Sequence, residues 1–152
     1  MHLCTYLILL AAAEQTLADS YVTVSQGHAD EADVHYTCAD FARQATAHVE
    51  ALAPVTARYT DRREPEPERL RPDGLTTTRG GPVGLLRDLQ DLYQLVSLVD
   101  ITWALVGQAA AGARDRELID TVAGCHGQTT AQHAWLRSRM RAAAPQTLLV
   151  AT

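Results

Sequence analysis

Apolar residues recur at intervals of three and four along most of this chain, the spacing that gives an α-helix one buried stripe. Almost nowhere do they alternate with the period of two that a half-buried strand needs. Over about 3–26, Leu3, Leu10, Leu17 and Val24 stand a heptad apart, with Tyr6, Ala13 and Tyr21 beside them. A second stripe, Val34, Cys38, Phe41, Ala45, His48, Leu52 and Val55, predicts a helix over about 31–59. A third, Leu85, Leu89, Leu92, Val96, Val99, Trp103 and Val106, predicts one over about 83–112. A fourth, Ile119, Val122, His126, Thr129, His133, Leu136 and Met140, predicts one over about 115–143. The expected fold is all-α, with residues 1–152 in a single domain.

Turn and cap residues punctuate this pattern. Gly27 is expected to end the first helix by adopting positive φ, Asp30 to cap the second and Asp115 the fourth. Pro54 should bend or weaken the last turn of the second helix. Residues 60–82, TDRREPEPERLRPDGLTTTRGGP, break the periodicity with prolines, glycines and mixed charge, and read as a long exposed linker. A short turn forces neighbouring helices antiparallel, whereas about twenty residues can travel the length of a bundle. The expected arrangement is therefore an antiparallel four-helix bundle of two hairpins joined by a long crossover.

The halves also look alike. When Leu9 to Glu14 is laid over Leu95 to Asp100, both first helices carry an acid at the same place. With one residue less across the turn, Asp30 falls on Asp115, Val34 on Ile119 and His48 on His133. Duplication of one hairpin accounts for the match.

Charge and composition narrow the partners. With a net charge of −5 and 13 basic residues against 18 acidic ones, the chain offers no basic field for nucleic acid or an anionic membrane. It contains no Lys and no Asn and is rich in Ala, the bias of a high-GC bacterial genome. Cys4, Cys38 and Cys125 form no CxxC pair, so neither a disulfide framework nor a thiolate zinc site is indicated, and a reducing cytoplasm is the expected location. The apolar start, Met1 to Ala13, imitates a secretory leader, but no Lys or Arg precedes it, and it reads as the first half of a helix.

Hairpin, long crossover, hairpin, with one acid and one histidine returned by each half, resembles the ferritin-like family. There each half supplies a carboxylate from its first helix and a Glu-x-x-His pair from its second, all directed inward. The resemblance implies a divalent metal (iron, manganese or zinc) in the core, held here by a degenerate set drawn from Glu14, His48, Asp100, His126 and His133. The chain departs from the family motif three residues before each histidine, where Ala45 and Thr130 replace both glutamates. Counted from a turn at His28, Glu14 and His48 fall about 8 Å apart along the axis. His126, by the same count, lies level with Asp100. Asp100 and His126, with Glu14, would form one level and His48 with His133 another. The structural alternative is that these histidines fill space and donate hydrogen bonds, with the acids as their partners.

Other groups point less directly to chemistry. The run His28 to His35 is rich in acids, as the first turn of a helix is expected to be. Tyr6, Tyr21 and Tyr93 read as packing, Trp103 and Trp135 as anchors, and Cys38 and Cys125 as small buried residues. There is no phosphate loop, GxSxG elbow or HExxH motif, and no catalytic residue is assigned. The second functional expectation is a non-catalytic bundle acting through its surface, as a homodimer or a partner-binding module. The apolar tail Leu148-Leu149-Val150 favours that association. A carrier of a small ligand among the core histidines is a third.

Overall fold

A computed structural model describes residues 2–59 and 73–150. Four helices account for most of them: α1 (Leu3–Gly27), α2 (Ala32–Ala57), α3 (Gly81–Ala113) and α4 (Arg116–Pro145), followed by one π-helical turn, Gln146–Val150. No strand occurs among the described residues. Every helix ends within two residues of the position expected from periodicity. The stretch 60–72 of the expected linker lies outside the described residues.

Local chemistry explains most boundaries and revises three. Asp115 caps α4 as expected, its carboxylate accepting the Leu118 N–H. The N-cap of α2 is Glu31 rather than Asp30, with no side-chain cap. The Glu31 carboxylate instead faces Arg139 of α4, whose guanidinium also reaches Asp33 at 2.6 Å. Pro54 lies inside α2 without ending it, since the helix continues to Ala57. Gly27 does close α1, but not through positive φ, which among the described residues belongs to Arg114 (55°) and Gly81 (75°). The reason for glycine is space: a Cβ on Gly27 would stand 2.2 Å from the Thr78 hydroxyl.

The stripes of α1, α2 and α3 meet as anticipated. Leu10, Leu17, Val24, Val34, Cys38, Leu52, Leu89, Leu92, Val96, Val99 and Trp103 are all fully buried in one apolar cluster. Each large side chain among them contributes roughly 1.5–3 kcal/mol through burial. Helix α4 is turned relative to its expected face. Leu118, Cys125, Thr129, Gln132 and Leu136 point inward, while His126 and His133 lie half-buried on the flank. Few large apolar residues lie on α4, so its rotation is set by what the other helices need from it.

Helix α1 packs on α2 and α3, and α4 packs on α3 and α2. Contacts between α1 and α2 run from Ser25–His35 through Tyr21–Phe41 to Glu14–His48, one number rising as the other falls. At one end of the molecule Arg58 and Tyr59, just past α2, bond to Asp115 at the head of α4. At the other, His28, just past α1, meets Asp88 near the head of α3 at 2.7 Å.

Residues 73–80 are fitted against α1 and α3. A Cβ on Gly74 would come within 2.7 Å of the Ser20 hydroxyl, and the Leu75 N–H donates to that same oxygen. Asp88, fully buried, accepts the Arg79 N–H at 2.9 Å, the Arg79 guanidinium at 2.6 Å and the His28 ring. This clasp fixes how the chain enters α3.

Candidate functional site

Helical periodicity places Glu14 on the buried stripe of α1, one turn from both Leu10 and Leu17, so its carboxylate enters the core. It has no solvent exposure. Its Oε1 accepts the Trp103 indole N–H from α3 at 2.7 Å and the His48 Nδ1–H from α2 at 2.8 Å. His48 is 2 % exposed, and its Nε2–H donates to Gln128 Oε1 of α4 at 2.7 Å. Both ring nitrogens thus face acceptors, which the doubly protonated imidazolium satisfies and a neutral ring does not. Burial alone would lower the His48 pKa. The hydrogen bond and charge of Glu14, with the bond to Gln128, outweigh it and raise the value above 6.5.

A second polar link crosses the core beside the first. The Tyr21 hydroxyl donates to Gln132 Oε1 and the Gln132 amide donates to Gln44 Oε1, both at 3.0 Å. All four helices therefore contribute to a buried polar network. Among the described residues, Glu14 Oε2 and the Thr129 hydroxyl are buried without a hydrogen-bond partner. Burial, then the charge of Asp33, pushes the Cys38 thiol up to about 12, and burial, then the charge of Glu14, pushes Cys125 up to about 11. Both are held as neutral thiols rather than as thiolates.

The other three candidate residues lie elsewhere. His126 Nε2 is 3.0 Å from Asp100 Oδ1, both side chains being about 30 % exposed, so this pair faces solvent. The Thr130 hydroxyl, at a position where the family motif has glutamate, donates to the same oxygen at 2.9 Å. His133 stacks on Tyr93 at 4.3 Å, with Nε2 2.9 Å from the Ser97 hydroxyl. That hydroxyl already donates to the Tyr93 carbonyl, so His133 is the donor.

The five residues thus occupy three places. Asp100 and His126 meet, as their levels suggested. Glu14 and His48 also meet, against the expected 8 Å offset, because the first turn is centred near Asp30 and not at His28. That shifts each helix by about two residues. His48 and His133 do not share a level, Glu14 does not join Asp100, and the repeat in the sequence is not a repeat of contacts.

These positions bear on a metal. Both His48 nitrogens are engaged, Ala45 puts a methyl group where a bridging carboxylate would be, and Thr130 is turned to Asp100. Among the described residues no three His, Cys, Asp or Glu side chains converge. In this arrangement they do not fit a two-metal carboxylate centre.

No known protein family, no curated protein and no solved structure matches this chain. What can be said about its action therefore rests on its own residues.

Periodicity missed the glutamines and the polar roles of Trp103 and Tyr21. Trp103 and Tyr21 carried a usable signal, since an indole N–H or phenol placed on a core stripe needs a partner. Gln132 was also detectable, as one heptad past Cys125. Gln128 was not, because it approaches His48 from the exposed side of α4.

Proposed function

We propose that this protein is a ferritin-like, antiparallel bundle of two hairpins with one crossover, that its core is closed by the Glu14–His48 charge pair, and that it acts through its surface as a cytoplasmic homodimer. The observation that carries the reading is the engagement of His48 at both ring nitrogens. An imidazolium hydrogen-bonded on both sides has no lone pair to offer a metal or a substrate proton. The pair crosses from α1 to α2 and draws in α3 through Trp103 and α4 through Gln128, so it specifies how the helices register. A buried ionic pair is weak evidence for net stability, because desolvation offsets its attraction, so its role here is to set which residues of the helices meet.

Antiparallel order is supported by the opposed numbering of the α1–α2 contacts and by the meeting of Arg58 with Asp115. The surface reading is supported by exposed apolar side chains, among them Ile101, Leu105, Leu148, Leu149 and Val150.

Elemental analysis of untagged protein tests the closed core. The expected result is less than about 0.1 metal per chain after purification with added iron, manganese or zinc, unchanged in Glu14→Gln and His48→Gln. A stoichiometric metal in the parent that both substitutions remove would restore the metal-binding reading and overturn this one. Sedimentation tests the homodimer separately.

A further inference from the structure

The first half of α1 and the last third of α3 are devoid of charge. Residues 2–13 and 101–113 contain no Asp, Glu or Arg, on a chain with 31 such residues. The two segments adjoin: His2, just before α1, Leu3 and Tyr6 of α1, and Leu105, Val106 and Ala109 of α3 line a shallow groove of about 290 Å³. Ile101, 53 % exposed, and Leu105, 49 % exposed, project from the same part of α3. Helix α3 is also apolar enough along one stretch to cross a membrane by composition, yet only 39 % of that stretch is buried. Its apolar character exceeds what the core of one chain uses.

We infer that this charge-free face of α1 and α3 is the surface on which a second copy of the chain docks, a conclusion that rests on the homodimer reading above. Two chains of net charge −5 repel wherever their acid-bearing surfaces meet, and this is the face on which they approach without like charges. It carries both projecting apolar side chains and a groove lined mainly by aliphatic ones, with Tyr6 and Ala109 among them. A twofold axis can seat each copy's Ile101 and Leu105 against the other's Tyr6 and Ala109. Residues 60–72, TDRREPEPERLRP, hold one large apolar side chain, Leu70, and lack the composition to cover the face. The basic residues at the rim, Arg114 and Arg116, alternate with Asp115 and Glu117, so no net positive charge stands there to hold an anionic membrane surface. A further exposed apolar group, Leu148 to Val150, follows Thr147, which lies beside Pro82 and Leu85 at the opposite end of α3.

Sedimentation equilibrium of the full chain, from about 1 to 500 μM, with Ile101→Glu, Leu105→Glu and, as a control on α2, the exposed Tyr36→Glu, decides this. Both target positions are half-exposed, so an introduced carboxylate reaches water in the monomer, and helical circular dichroism is expected to be retained. The expected result is a parent dimer whose dissociation constant rises at least about a hundredfold in each α3 variant and is unchanged in the control. A dimer equally stable in both α3 variants overturns this surface while leaving the homodimer standing. A parent monomeric throughout the range overturns both. Co-sedimentation of a monomeric parent with phosphatidylcholine vesicles would assign the face to lipid and equally overturn the proposal.

Discussion

Replacing Glu14 with Gln keeps the shape of the buried site and removes only its negative charge. The amide oxygen can still accept the Trp103 indole N–H, so the change isolates the interaction with His48. Taking one partner from a buried ion pair costs about 3–5 kcal/mol, because the other charge is left without compensation. Against the roughly 5–15 kcal/mol that holds a domain together, that loss is large. Its pH dependence is the sharper test. In the parent, Glu14 raises the folded pKa of His48 above its unfolded value of 6.5. The stabilisation is therefore fully present below about pH 6.5 and is lost as pH rises through the folded value. In the variant, burial is left to lower the His48 pKa, and its stability should rise with pH across the neutral range. Urea denaturation at pH 6 and pH 9 should show a difference of about 3–5 kcal/mol at the lower pH and a clearly smaller one at the higher. A difference below about 1 kcal/mol at pH 6, or one equal at both pH values, would refute the assignment of a buried charge pair.

Three further outcomes follow from particular contacts. Asp88→Ala, which leaves the buried His28 ring and the Arg79 N–H without their shared acceptor, should cost about 1–3 kcal/mol and speed hydrogen exchange over residues 75–84 before the rest of the chain; uniform loss of protection would argue against a local clasp. Gly27→Ala, whose Cβ meets Thr78, should lower stability by about 1–3 kcal/mol, and a thermal melt unchanged from the parent would show that the segment moves aside freely. With thiol pKa values near 12 and 11, Cys38 and Cys125 present about one thiolate in a thousand or fewer at pH 8. Alkylation of the folded chain should therefore be slow and should accelerate sharply in urea; rapid native labelling at either position would contradict the burial described.

The sequence by itself determined the number of helices and, within two residues, where they begin and end. Helical periodicity, a capping Asp115 and the glycines at 80–81 are local properties that act over a turn or two. It also placed Trp103 in the core, on a strongly apolar stripe, whereas Glu14 was expected there only through the repeat and the ferritin-like resemblance. Tertiary structure alone decided the rest. Measured from residue 28, the first hairpin keeps Glu14 and His48 apart, and measured from its true centre it joins them, so a two-residue choice in a turn decides whether a charge pair exists. The rotation of α4 was open for a related reason: its sparse apolar residues fit two adjacent faces nearly equally. Packing against Tyr21, Gln44 and His48 turned Gln128 and Gln132 toward the network and left His126 and His133 on the flank.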